Sequence, residues 1–98
     1  MEGMFYNANN FNRPIGDWDV YNVTDMSYMF RGCYEFNQDI SDWAVSNVTN
    51  MTKMFYFATD FEQDISIWNV QNVTTNEDIF HKCPINNIDE YKPNFNKK

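Results

Sequence analysis

A 25-residue unit recurs along this chain without an insertion before Pro84, and such a repeat constrains the fold more than any local pattern does. The repeat step joins positions of one chemical type: Trp18, Trp43 and Trp68; Ile15, Ile40 and Ile65; and the Asn-Val-Thr triplets at 22–24, 47–49 and 72–74. A chain of 98 residues has the size of one domain. We therefore expect a single repeat domain over residues 1–98, with units at about 4–28, 29–53 and 54–78 and a partial capping unit at 79–98.

Each unit predicts one short strand followed by one short helix. In Ile40-x-x-Trp43-x-Val45 the last two apolar residues alternate with polar or small ones, as in a strand with one buried face. Thr49 is a suitable N-cap, and an apolar stripe at helical spacing follows it: Met51, Met54, Phe55 and Ala58. One unit cannot bury both apolar faces alone, whereas stacked copies can. The sequence thus predicts an α/β solenoid that is leucine-rich-repeat-like, with a parallel strand ladder.

Residues 36–55 carry a long motif: Phe-Asn-x-Asp-Ile-Ser-x-Trp-x-Val-x-Asn-Val-Thr-x-Met-x-x-Met-Phe. This motif closely resembles the repeat of the BspA-like surface proteins, which is also abundant in mycoplasma lipoproteins, and the likeness covers about residues 4–83. The resemblance implies a leucine-rich-repeat-like solenoid in a bacterial surface or secreted protein, associated with adhesion and without catalytic residues. The first four residues contain no basic region of a signal peptide, and no lipid-anchor cysteine is recognised.

Composition excludes several classes of protein. Hydrophobic residues make up 43% and aromatic residues 18% of the chain, which excludes a disordered polymer. The net charge of −7 argues against a nucleic-acid partner, because phosphate binding relies on clustered Lys and Arg. No apolar run approaches the roughly 18–20 residues of a membrane span, so we expect no direct membrane insertion. No catalytic motif occurs, and two cysteines with one histidine cannot form a four-ligand metal site, so neither an enzyme nor a cofactor is expected.

The tryptophan and methionine columns each have two interpretations. Trp18, Trp43 and Trp68 could form a sugar-binding strip, but their inward positions favour a stacked core with the rings roughly 5 Å apart. The methionines could line an adaptable groove, but their regular spacing also favours core.

The polar and cysteine positions also have two interpretations. Asn22, Asn47 and Asn72 lie in glycosylation sequons, and we favour a buried amide ladder that bonds the turn backbone, with each Thr as an N-cap. Cys33 and Cys83 stand two units apart, so stacking at strand spacing separates them by roughly 10 Å. That is too far for a disulfide, so we expect buried thiols. Calcium binding is conceivable for several aspartates, for which we favour local turn bonding: Asp17, Asp19, Asp39, Asp42, Asp60 and Asp64.

The outward positions beside the Trp and Val of each unit form the candidate partner face. In repeat proteins such positions make one continuous binding surface. The face comprises Asp17, Asp19, Tyr21, Asp42, Ala44, Ser46, Ile67, Asn69 and Gln71. These residues differ between units while the inward ones do not, which supports their exposure.

Two classes of function follow. The first is a module for protein–protein interaction or adhesion in a bacterial surface protein. The second is a structural unit that assembles with itself through the ends of the stack, or within a larger particle. The ends decide between them: a helix at residues 4–9 is expected to cap one end, and residues 85–95 the other, anchored by Ile88, Tyr91 and Phe95.

Overall fold

The protein is described by a computed structural model that covers residues 1–95. Its 25-residue units stack as successive layers, so that each residue lies near the equivalent residue of the next unit. The two helical elements of the described chain are 3₁₀-helices, Pro84–Asn87 and Asp89–Tyr91. Almost all the remaining described backbone forms turns and irregular connections, so hydrogen bonds between layers take the place of regular secondary structure.

Each unit contributes one row of overlapping turns to the stack, and we call these rows 1 to 4: residues 1–8, 25–33, 50–58 and 75–83. Within a row, every second amide donates to the carbonyl three residues earlier, as Tyr56 N–H does to Lys53 at 3.3 Å. The amides between them donate to the next row, as Phe55 N–H does to the carbonyl of Ile79 at 2.9 Å. Four such bonds of 2.8–3.0 Å join each pair of adjacent rows.

The predicted helix in each unit is wrong. An α-helix directs its N–H groups to carbonyls four residues earlier in the same segment, whereas alternate N–H groups of row 3 bond to row 4. Lys53 and Phe57 have φ angles of 53° and 60°, a left-handed conformation that interrupts a right-handed helix. Overlapping turns still bring Met51, Met54 and Ala58 to the buried side, so the apolar spacing is the same as in a helix.

The predicted strand is also wrong, and with it the prediction of an α/β solenoid that is leucine-rich-repeat-like. The segment from Ile40 to Trp43 closes a turn, in which Trp43 N–H donates to the Ile40 carbonyl at 3.1 Å, and a second turn follows from Val45 to Val48. Within residues 1–95, parallel pairing is confined to isolated bridges at one position of the unit, 25 to 50 and 50 to 75. No parallel strand ladder forms in this part of the chain.

Aromatic columns make the core. Phe30 and Phe55 are fully buried, and their rings stack with centroids 5.4 Å apart. A second column contains Phe36 and Phe61 at 5.6 Å. Four methionines are also fully buried: Met26, Met29, Met51 and Met54. The prediction that the methionine stripe is core is therefore confirmed for these residues.

The two ends of the stack differ. The helix predicted at residues 4–9 is wrong, because this segment belongs to turn row 1, and Met4 is 53% exposed there. At the other end, Tyr91 and Phe95 pack against the core, and Ile85 is fully buried. Ile88 is half-buried. Residues 96–98 of the capping unit lie outside the described residues, and within 1–95 no helix has the length and apolar character to cross a membrane.

Candidate functional site

The candidate partner face is exposed along most of its length. Ser46 is half-buried and the other eight residues are exposed: Asp17, Asp19, Tyr21, Asp42, Ala44, Ile67, Asn69 and Gln71. Ile67 stands out with 76% of its surface exposed. These residues are therefore accessible to solvent, and turns rather than strands carry them.

A shallow groove of about 370 Å³ runs between the second and third units of this face. Its walls include Asp42, Ala44, Ser46, Ile67 and Asn69. The structure thus brings together the residues of two units. The first-unit residues Asp17, Asp19 and Tyr21 do not line the groove.

Short turns fix the backbone around the face. The Asp19 carboxylate accepts the Tyr21 N–H at 3.1 Å, and the Asn69 side chain accepts the Gln71 N–H at 3.1 Å. Below the face, bonds from the Ser41 N–H and hydroxyl lower the pKa of Asp39 from its usual 3.8. The hydroxyl and N–H of Ser66 lower the pKa of Asp64 in the same way. The prediction of local turn bonding is confirmed for Asp19, Asp39 and Asp64, and residues 1–95 hold no cluster of three potential metal ligands.

The tryptophan column is core in the inner units and partly open in the first. Trp43 and Trp68 are buried, and their indole rings stack 6.4 Å apart at an interplanar angle of 5°. Each indole N–H donates to the carbonyl of the isoleucine in the preceding unit, Ile15 and Ile40 respectively. Trp18 is 37% exposed, so the prediction of a buried column holds for two of its three members.

The predicted asparagine ladder is half right. The Asn47 and Asn72 amides donate at 2.7 Å to the carbonyls of Tyr21 and Ser46, so they bond turn backbone as expected. They are not buried, however: Asn72 is exposed and Asn47 half-buried. The predicted N-cap role of Thr49 is wrong because no helix follows, and its hydroxyl bonds the Thr24 carbonyl at 3.2 Å instead.

The cysteines are free and buried, as predicted. Cys33 Sγ bonds the Phe5 carbonyl at 2.9 Å, and burial raises the pKa of this thiol to about 11. Burial also raises the pKa of Cys83, to about 12. Neither thiol is therefore a thiolate near neutral pH, which is the form that reacts as a nucleophile.

A second cluster, which the sequence did not reveal, lies along the turn rows. Equivalent positions of the four rows hold Tyr6, Arg31, Tyr56 and His81, and we call this the aromatic–cation column. The Arg31 Cζ lies 5.0 Å from the ring centroids of both Tyr6 and Tyr56, and His81 stacks on Tyr56 at 4.9 Å. A search of the fixed repeat positions misses it because the residue type changes from unit to unit. The signal that could have found it is the 25-residue step applied to variable positions.

A family model described as "Mycoplasma protein of unknown function, DUF285" matches residues 1–92. No curated protein and no solved structure shows a significant match to the chain.

Proposed function

The chain belongs to the DUF285 family, and we propose that it is a non-catalytic repeat module that binds a protein partner through the candidate partner face. By its resemblance to the BspA-like repeat, we further propose that it works in adhesion at the bacterial cell surface or in a secreted protein. The partner is a protein rather than a nucleic acid, because a chain with a net charge of −7 repels phosphate backbones.

Ile67 is the observation that carries this proposal. A side chain of this size left 76% exposed forfeits the stabilisation that burial would give it. It lines the groove together with Ala44 and Asn69, which are small or neutral, and with Asp42, which carries a charge. An apolar residue in a groove on a fixed backbone is typical of the centre of a protein interface.

The layered scaffold supports the same interpretation. The Val45 and Trp43 side chains on either side of Ala44 are 1% and 3% exposed, so packing holds the backbone beneath the face. A preorganised surface loses little conformational entropy when it binds. The exposed positions can therefore vary between units without changing the fold.

Photocrosslinking would test the proposal. We would place a benzophenone amino acid at Asn69 in the groove, and in a second chain at Asn10, which is exposed and does not line the groove. The protein captured at position 69 in cells that express the chain would then be purified, and its affinity measured by surface plasmon resonance. We expect Ile67→Glu to weaken binding at least about tenfold, as the loss of a central apolar contact predicts.

Asn10→Glu is the matched control, since it adds the same charge away from the groove. It should leave the affinity within about twofold of wild type. Equal losses in both variants would contradict the proposed face. Capture of the same protein with equal yield at positions 10 and 69 would contradict it as well.

A second candidate function, self-assembly, is favoured by the ends of the stack. In each inner junction, amides of one row donate to carbonyls of the next. Row 4 therefore ends with amides that have no such acceptor within residues 1–95: those of Asp78, Phe80 and Lys82. Row 1 begins with carbonyls that accept no bond in the described chain: those of Glu2, Met4 and Tyr6. The amides of row 4 and the carbonyls of row 1 match the bonding pattern of one more junction. A second copy could therefore extend the stack head to tail if the segment that ends in Phe95, which packs against the core, moves aside.

Sedimentation velocity over a dilution series would test self-assembly. We expect the sedimentation coefficient to rise with concentration, and Met4→Asp to abolish the rise because it places a charge on the open end. Ala44→Asp is the matched control and should behave as wild type. A concentration-independent monomer would rule out this second function and leave the binding proposal untouched.

A further inference from the structure

The aromatic–cation column holds an arginine in an unusual setting. Arg31 is flanked by two tyrosine rings at 5.0 Å, and its Nη1 donates to the Tyr6 hydroxyl at 2.7 Å. Flanking rings and the hydrogen bond restrict the rotamers of a side chain that is otherwise flexible. The guanidinium group is therefore held in place before any ligand arrives.

Arg31 also lacks a carboxylate partner inside the described chain. Within residues 1–95, the ion pair between oppositely charged side chains joins Lys92 to Asp89. A guanidinium group has five N–H donors, and the bond to Tyr6 uses one of them. The remaining donors have no acceptor among the described residues, even though the chain as a whole carries fourteen acidic residues. Such donors are available to an anion from outside.

A pocket of about 230 Å³ adjoins this group. Arg31, Tyr34, Tyr56 and Phe57 line it together with Asn7 and Gly32. Lys53, whose Nζ lies 5.8 Å from the centroid of the Tyr56 ring, adds a second positive charge beside the column. Arginine recognises carboxylates through two parallel hydrogen bonds, a geometry that a held guanidinium favours.

We propose that Arg31 and this pocket bind a carboxylate side chain of an acidic peptide segment in a protein partner. The site is separate from the candidate partner face, because the groove on that face and the pocket at Arg31 share no residue. Charge complementarity sets the class of ligand, and the pocket is large enough for one side chain rather than for a folded domain.

The ring faces of the column favour a peptide over a sugar or a nucleic acid. Sugars and bases bind aromatic residues through open ring faces. Here Arg31 covers one face of Tyr6, and Tyr56 carries Arg31 on one side and His81 on the other. Tyr56, which lines the pocket, therefore has both faces covered, and its hydroxyl suits a carboxylate better than a ring.

Fluorescence anisotropy would test this site. The probe is a labelled peptide, blocked at both ends, with Glu at every second position and Gly between, and a peptide with Gln in place of Glu is its control. We expect wild-type protein to bind the Glu peptide and not the Gln peptide, and added salt to weaken binding. Arg31→Gln should weaken binding at least about tenfold, and Arg31→Lys by less, since Lys keeps the charge but loses the bidentate geometry.

Arg13→Gln is the matched control, because Arg13 is exposed and the change in charge is the same. It should leave binding within about twofold of wild type.

Near-ultraviolet circular dichroism would show whether each variant is folded. If Arg31→Gln is not folded, the loss of binding is measured with Arg31→Lys instead. Absence of binding at about 1 mM protein, or equal losses for Arg13→Gln and Arg31→Gln, would overturn the proposal. Tighter binding of a glucuronate oligosaccharide than of the peptide would overturn the assignment to a peptide. Ile67→Glu should not change peptide binding. The proposal for the Arg31 pocket and the proposal for the partner face can therefore be tested independently.

Discussion

The first unit and the inner units place the same residue types at the same positions but bury them to different extents. Trp43 and Trp68 are 3% and 4% exposed, whereas Trp18 is 37% exposed. Met29 is fully buried, whereas Met4 is 53% exposed. An inner unit has a neighbour on both sides and the first unit has a neighbour on one. Burial in this fold is therefore a property of the junction between units rather than of the unit itself.

Polar groups follow the same rule. The Asn47 amide bonds the Tyr21 carbonyl of the unit before it, whereas Asn22 donates no hydrogen bond among the described residues. Identical residues at equivalent positions of different units should thus contribute differently to stability, because they take part in different numbers of junctions. Identical substitutions at equivalent positions of the first unit and an inner unit would test this rule.

The largest difference should appear at the tryptophans. Trp43→Ala removes a buried ring that packs against Phe30 and Trp68, together with the indole hydrogen bond to the Ile15 carbonyl. We expect it to lower the free energy of unfolding by about 3–5 kcal/mol. Trp18→Ala, at a position that is 37% exposed, should cost about 2 kcal/mol. Urea denaturation followed by circular dichroism would measure both, and equal costs would contradict the rule that junctions decide burial.

A second test inserts the inner-unit residue into the first unit. Ser41 and Ser66 are equivalent to Gly16, so Gly16→Ser makes the units more alike. A Cβ at Gly16, however, would collide with the backbone carbonyl oxygen of Asp39 in the next layer. We expect a loss of about 1–3 kcal/mol, as is usual for overpacking.

The reverse change, Ser41→Gly, is the control for this position. It removes the Ser41 hydroxyl bond to the Asp39 carboxylate at 2.7 Å, so it should cost about 1 kcal/mol. If Gly16→Ser stabilises the protein instead, the backbone at position 16 can move away from the Asp39 carbonyl without losing its packing.

A third pair compares the asparagines. Asn47→Ala loses a 2.7 Å bond across a junction and leaves the Tyr21 carbonyl to water, which should cost about 1 kcal/mol. Asn22→Ala has no such bond to lose and should change stability by less than about 0.5 kcal/mol. Thermal melts of the two variants, measured side by side, would reveal the difference. A larger loss of stability for Asn22→Ala than for Asn47→Ala would contradict the rule and would show that Asn22 stabilises the first unit by a local interaction.

The buried columns could be predicted from the sequence because the repeat register determines them. Phe30, Trp43 and Met54 recur at the repeat step as apolar types, and each is buried in the structure. The secondary structure could not be predicted in the same way. The spacing of Met51, Met54 and Ala58 fits a helix and a row of overlapping turns equally well.

What separates the two conformations is a left-handed residue at every fourth position of the row. Lys53 and Phe57 hold such φ angles although neither is Gly or Asn, so no local signal marks them. Hydrogen bonds to the next layer stabilise these residues, and those bonds exist only in the stack. The aromatic–cation column is harder to recognise for a related reason: the contact of Arg31 with Tyr6 and Tyr56 arises from stacking, while the residue type varies between units.

The last comparison concerns the two thiols and the ends of the stack, and its effect depends on pH. Ala8 is half-buried at the open end, whereas its equivalent Cys83 is 3% exposed under the capping segment. Burial raises the pKa of Cys83 from 9.0 to about 12, and that of Cys33 to about 11. An unfolded thiol near 9.0 loses its proton first, so between about pH 9 and 12 the unfolded state binds fewer protons, and stability falls as pH rises. Below about pH 9 this contribution to stability is fully present.

The double variant Cys33→Ala/Cys83→Ala isolates this effect, because alanine already fills the slot at Ala58 and fits without strain. We expect the melting temperature of the wild type to fall more steeply between about pH 9 and 11 than that of the double variant. All other side chains are the same in both proteins, so their effect cancels in the difference. Ellman's reagent at about pH 8 should react with neither thiol until urea unfolds the chain. Rapid reaction of Cys83 in the native protein would show that the capped end opens as readily as the uncapped one, and the comparison between the two ends would no longer hold.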